Sequence, residues 1–110
     1  MAGSGLAAPF SFKGGTYPGT GGDCSTTLAA SATCTVVIVY SPVSIATHSD
    51  TVEISFNTGL ATTTSNRALQ GTAVAPASLT ISDGPTYDFG TVATSASAEK
   101  ILTVTNSGNF

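Results

Sequence analysis

The sequence predicts an all-β sandwich, and three features indicate this fold class. The segment "TVEISF" at 51–56 alternates strictly, which places Val52, Ile54 and Phe56 on one side of a strand. Short strand-like runs recur with Gly, Pro and Asn turns between them, at the spacing of about 8–12 residues that is typical of β-sandwiches. No segment carries the apolar stripe of an amphipathic helix, which repeats about every 3.6 residues.

The remaining strands follow from the same reasoning. "TCTVVIVY" at 33–40 is rich in β-branched residues, as expected of a strand. "NTG" at 57–59 tolerates the positive φ of a tight turn, so "LATTTSNRALQG" at 60–71 is predicted to return as the hairpin partner of 51–56. Three further short strands are predicted at 78–82, 86–90 and 100–106, the first two separated by the turn "DGP".

Composition restricts the class of partner. The chain has 110 residues, enough for one domain with its own core, and 41% of them are apolar. Only three residues are basic, too few for a patch that neutralises nucleic-acid phosphates or binds an anionic membrane surface. No apolar run approaches the roughly 18 residues of a membrane span. Because the N-terminus lacks signal-peptide features, an exported chain would be a piece of a larger protein or a recombinant form.

The two cysteines carry the most specific local signal. Cys24 and Cys34 bracket the nine residues "STTLAASAT". Only His48 could add a further typical zinc ligand, and no basic group lies nearby in sequence to activate a thiol, so a metal site and a catalytic cysteine are both disfavoured. A disulfide is the favoured interpretation and would indicate an oxidising compartment. The alternative is a pair of buried free thiols.

No residue pattern predicts an enzyme or a cofactor. His48, Ser49 and Asp50 are consecutive, whereas the members of a catalytic triad converge from separate elements. A glycosidase carboxylate pair formed by Asp50 and Glu53 would need a cleft with sugar-stacking aromatic residues, and the chain has no Trp.

Three other kinds of site have weaker support in the sequence: a calcium site, an isopeptide bond and a ligand-binding loop. Asp23, Asp83 and Asp88 lie near glycines but lack the spacing of a calcium loop, so turn capping is the favoured interpretation. An isopeptide bond from Lys13 or Lys100 to an Asn is a further, minor alternative. The glycine-rich loop "GGTYPGTGGD" at 14–23 presents Tyr17, the candidate loop-tip contact for a ligand.

Segment 3–72 resembles the second half of bacterial choice-of-anchor D repeats, which are Ig-like modules related to the ASH (abnormal-spindle/Hydin) domains. The resemblance lies in a Pro-Phe-x-Phe strand, a glycine-rich stretch, a "Cys…TLAA…Cys" loop, an alternating strand and a closing "LxGTG" motif. The matching residues are Pro9 to Phe12, Gly14 to Gly22, Cys24, Thr27 to Cys34, Thr35 to Val39, Tyr40-Ser41-Pro42, and Leu69 to Thr72 with Ala73 in place of the last Gly.

Segment 78–110 resembles the first half of such a repeat. The family pattern "FGTVATG…TVTNTG" is matched by Phe89 to Thr94 and by Thr103 to Gly108, with Ser95 where Gly is usual. The two halves therefore stand in reversed order along this chain. The resemblance implies one Ig-like unit over 1–110 with permuted strand order, and the linker "TAVAPAS" at 72–78 connects its halves.

The reversed order leaves two ways to complete the fold. The C-terminal strands could close on their own chain, or they could complete the next copy in a head-to-tail arrangement. The resemblance, together with this incomplete strand set, implies a non-enzymatic structural repeat of a large bacterial extracellular or cell-surface protein, whose main partner is itself. The alternative is an adhesin-type module that binds a cell-surface or glycan ligand through its loops.

Overall fold

The computed structural model describes all 110 residues and consists of β-strands and connecting loops without a helix. The all-β prediction is therefore confirmed. The chain divides into two compact units, Met1–Ala73 and Val74–Phe110, and the boundary lies within the linker at 72–78. The strands are β1 (Ala2–Ser4), β2 (Phe10–Phe12), β3 (Ile38–Tyr40), β4 (Thr47–Asn57), β5 (Thr62–Thr72), β6 (Leu79–Ile81) and β7 (Val104–Asn106).

A three-stranded antiparallel sheet dominates the first unit. Its strand order is β1-β4-β5, and the long β4–β5 hairpin runs in register from the pair Thr47–Thr72 to the pair Asn57–Thr62. The turn forms because the Asn57 side chain accepts a hydrogen bond from the Gly59 N–H at 2.7 Å, and Gly59 adopts a φ of +92°. The predicted hairpin between 51–56 and 60–71 is thus confirmed; its first strand is longer than predicted, and its second strand begins and ends slightly later.

A smaller sheet, formed by β2 and β3, supplies the aromatic part of the core. The rings of Phe10 and Tyr40 stack at 4.9 Å between centroids. Tyr40 also lies against the β4–β5 hairpin, because a Cβ atom on Gly71 would be only 2.6 Å from the Tyr40 ring. Buried apolar side chains are limited to Phe10, Phe12 and Val52. The core of this unit is therefore small.

The face of the hairpin that carries Val52 is covered unevenly; we call it the core face. Val52 is 6% exposed, and Gly71, near the other end, is covered by Tyr40. By the strand register, Arg67 and Ser65 of β5 lie on the same face, opposite Val52 and Ile54, and both are exposed. The core face therefore has an open half toward the hairpin turn.

The second unit contains a single two-stranded sheet. In it β6 pairs antiparallel with β7, with Ile81 opposite Val104 and Leu79 opposite Asn106. Ser78 and Asn106 close one end, where the Ser78 N–H donates to the Asn106 side-chain oxygen at 3.1 Å. Gly108 allows the chain to pass next to the Pro76 carbonyl, where a side chain would clash.

Several predicted strands are shorter than expected or wrong. The segment 86–90 is not a strand: it has no pairing partner, and the Asp88 side chain instead accepts a hydrogen bond from the Gly90 N–H at 2.8 Å to form a local turn. Only the last three residues of 33–40 and residues 104–106 of 100–106 pair in a sheet. Conversely, β1 was not predicted from its small residues, which pair with the edge of β4.

Candidate functional site

The most distinctive surface of the chain is one face of the β6–β7 sheet, which we call the ribbon face. Leu79, Ile81 and Val104 share this face with Asn106 by strand alternation and register, and the three apolar side chains are 67%, 60% and 60% exposed. The opposite face carries the paired threonines Thr80 and Thr105. The sheet is thus amphipathic, and its apolar side is not covered within its unit.

Exposed apolar residues extend beyond the ribbon face. Every large apolar side chain of the second unit is at least two-fifths exposed, whereas soluble monomers rarely present large continuous apolar patches. These residues are Val74, Leu79, Ile81, Tyr87, Phe89, Val92, Ile101, Leu102, Val104 and Phe110. The unit therefore has the apolar residues of a protein core but lacks a second layer to cover them.

A few surface contacts orient the loop between β6 and β7 in the second unit. The Lys100 ammonium lies 3.4 Å from an Asp83 carboxylate oxygen and 4.9 Å from the centre of the Tyr87 ring. Phe89 packs edge-on against Tyr87. Exposed ion pairs contribute little to stability, typically below about 1 kcal/mol. These contacts orient the loop without replacing a buried core.

The open half of the core face contains a groove of about 590 Å³. Its apolar lining comes from Met1, from Leu28 of the loop between the cysteines, and from Ile54 and Phe56 of β4. Ser65 lines it from β5. Sequence patterning correctly placed Ile54 and Phe56 on the core side, but it gave no indication that Leu28, in a run of small polar residues, borders the same groove.

The disulfide between Cys24 and Cys34 is present, as predicted. Next to it, Asp23 binds Thr35: its carboxylate accepts hydrogen bonds from the Thr35 N–H at 2.6 Å and from the Thr35 hydroxyl at 2.8 Å. These bonds, that from the backbone N–H first, stabilise the ionised carboxylate and lower the pKa of Asp23. The disulfide and the hydrogen bonds between Asp23 and Thr35 join the two ends of the loop that borders the groove.

Tyr17, the predicted loop-tip contact, is half-buried. Its ring meets Phe12 edge-on at 5.7 Å between centroids, and its hydroxyl lies 3.3 Å from the Ser25 carbonyl oxygen, to which it donates. The side chain therefore packs against the small core, and its role in contacting a ligand stays a prediction.

His48 lies in a polar cluster rather than in a triad with its sequence neighbours. The Tyr40 hydroxyl is 2.8 Å from His48 Nδ1, and the Ser44 hydroxyl is 3.3 Å from Nε2. Strand alternation places Ser49 on the opposite face of β4 from His48. Asp50 accepts hydrogen bonds from the backbone N–H groups of Ala7 and Thr51, and these bonds, that from Ala7 first, lower its pKa.

The chain contains no cluster of three His, Cys, Asp or Glu side chains that could hold a metal ion, and no helix long and apolar enough to cross a membrane. Comparisons with protein-family models, with curated proteins and with solved structures found no match. The resemblance to choice-of-anchor D repeats accordingly stays a prediction.

Proposed function

We propose that this chain is a non-enzymatic structural module of a large extracellular or cell-surface protein, which associates head-to-tail with copies of itself to build a fibre or stalk. The exposed ribbon face is the observation that carries this proposal. Leu79, Ile81 and Val104 form one apolar side of a two-stranded sheet, and each is at least 60% exposed. Such a surface marks an interaction site more often than a solvated face.

Each of the two units contains a sheet that lacks a covering layer on at least part of its apolar face. An isolated two-stranded sheet is marginally stable in water, and stability requires further strands or a packed second layer. The second unit has β6 and β7 only, while the first unit has a sheet whose core face is half open. Each unit thus supplies what the other lacks, which supports an Ig-like sandwich assembled from the two halves.

Complementation between chains leads to open growth. A ribbon that packs on the next chain leaves that chain's own ribbon free for another copy. This contact is heterologous and does not close on itself unless the copies form a ring, so the expected product is a linear polymer. The strand-addition mode of recognition provides the physical precedent.

Composition and the disulfide support the proposed location. A disulfide indicates an oxidising compartment outside the cytoplasm. Ser and Thr make up 33 of the 110 residues and only nine residues are charged, so the surface is rich in hydroxyl groups rather than ionic. Such a surface suits a long repetitive assembly that does not depend on salt-sensitive charge contacts.

Negative-stain electron microscopy of the purified chain tests this proposal. We expect thin, unbranched fibres whose length increases with protein concentration. The matched specimen is an Ile81→Asp variant, which places a carboxylate on the ribbon face and should yield only small particles. Fibres of equal length from both proteins would refute the role of the ribbon face, and small particles from the unmodified chain would refute the proposed function.

A further inference from the structure

We propose that the groove of the first unit, bordered by Leu28, Ile54, Phe56 and Ser65, is the acceptor site for the ribbon face of a second copy of this chain. This inference rests on the proposed function and specifies where the donor strands bind. It commits to one occupant, the β6–β7 sheet of a neighbouring chain, packed with its apolar face on the open half of the core face.

The acceptor has the character of an unfinished core. Val52 on β4 is buried, but Ile54 and Phe56, which follow it on the same face of the same strand, are only half-buried. Ser65 lies opposite Ile54 in the register, and its exposure shows that no layer covers this part of the sheet. A packed layer on this half would continue the core that Phe10 and Phe12 begin.

Size and surface match between donor and acceptor. The groove volume of about 590 Å³ falls within the range of roughly 300–1,000 Å³ that is usual for binding pockets, enough for several aliphatic side chains. Full burial of an aliphatic side chain corresponds to roughly 60–120 Å² of apolar area. The three apolar residues of the ribbon face, each at least 60% exposed, would therefore bury roughly 100–200 Å² in the groove, and the other exposed apolar residues of the second unit offer further area for the contact.

Charge favours the same placement. Arg67 lies on the core face of β5 next to Ser65 and makes no ion pair, since the single ion pair of the chain joins Lys100 and Asp83. The donor unit carries three carboxylates and one ammonium, a net charge of −2, which complements this guanidinium.

Site-directed cross-linking between two different variants tests the assignment. One variant carries Ser65→Cys in the acceptor groove and the other carries Ile81→Cys on the ribbon face, with the native disulfide intact in both. Mixing them with a short bismaleimide linker should give a mixed dimer, identified by mass spectrometry of the linked peptides. The matched control is Thr64→Cys, on the opposite face of β5, which should link to the Ile81→Cys chain several-fold less.

A charge substitution provides a second measurement on the same two positions. Ser65→Glu would place a carboxylate beside Arg67 and against the apolar ribbon face, where removing an ion pair from water is costly even though its charges attract. We expect the concentration needed for self-association to rise by about ten-fold, because the desolvation of a buried ion pair commonly exceeds the attraction between its charges. Thr64→Glu should leave that concentration unchanged.

The outcomes separate the two proposals. If the unmodified chain does not self-associate at any concentration, the proposed function and this inference both fail. If the chain self-associates but Ser65→Cys links no better than Thr64→Cys, and Ser65→Glu has no effect, the function stands and the acceptor assignment is overturned. Selective linking together with the loss caused by Ser65→Glu would support the groove as the acceptor.

Discussion

Replacing Ile81 and Val104 together by threonine should weaken assembly without destabilising the single chain. Threonine keeps the β-branched shape that a strand favours, so the β6–β7 pairing is retained. Both side chains are 60% exposed in the chain. Full burial of such a side chain contributes about 1.5–3 kcal/mol, so covering the exposed part contributes about 1–2 kcal/mol for each residue.

Threonine keeps one methyl group, so each substitution should cost about 1 kcal/mol, the lower end of this range. The double substitution should therefore weaken each contact between chains by about 2 kcal/mol. This corresponds to a roughly 30-fold weaker association. Sedimentation velocity over a concentration series measures the shift, and Thr80→Ser with Thr105→Ser is the matched control on the opposite face. An unchanged association constant in the Ile81 and Val104 variant would refute the reasoning, because the ribbon face would then not be buried in any assembly.

Three further predictions concern the first unit. Reducing the Cys24–Cys34 disulfide should destabilise the unit by about 2–3 kcal/mol, which is the chain-entropy value for so short a loop. Calorimetry with and without reductant should show a lower Tm for the reduced chain, and an unchanged Tm would contradict this. Gly71→Ala should cost about 1–3 kcal/mol in urea unfolding because the new methyl group would overlap the Tyr40 ring, whereas no change would show that the ring moves freely. Since the pKa of Asp23 is lower in the folded chain than its ordinary value of 3.8, its stabilising contribution is present above that value and is lost as the pH falls below it. Asp23→Asn should therefore show a smaller loss of stability than the native chain between pH 4 and pH 2 by circular dichroism, and equal losses would contradict the assigned cause.

The hairpin was predictable because its pattern is local. Strict alternation in 51–56 identifies the core side of β4, and "NTG" specifies the turn that brings β5 back. The disulfide was predictable for a similar reason, since only two cysteines exist and they lie close in sequence. In both cases the residues that carry the signal lie close together in the sequence and are the same residues that make the contact.

The failures have a common physical cause, which is that a strand requires a partner. The segment 86–90 alternates as a strand does, but no strand lies beside it, and the Asp88 side chain satisfies the Gly90 N–H in a turn instead. The residues 33–37 have high β-propensity, yet only Ile38 to Tyr40 pair with β2. Intrinsic preference alone does not determine whether a partner is available.

The candidate site was predictable only in part. The strand predicted at 78–82 is present as β6, but the residues gave no indication that its Leu79 and Ile81 would be exposed. The groove was not predictable, because it depends on how the disulfide loop brings Leu28 toward Phe56 across a separation of 28 residues. Such a juxtaposition is a property of the folded chain and leaves no periodic signal in the sequence.

The central claim is that one chain completes the next, and the mass of the purified chain in solution tests it most directly. Static light scattering over a concentration series should give a weight-average mass that starts near 10.8 kDa and rises without reaching a plateau. A constant mass of 10.8 kDa would contradict the claim and indicate that assembly does not occur. A plateau at twice that mass would also contradict it, because a closed dimer does not grow head-to-tail.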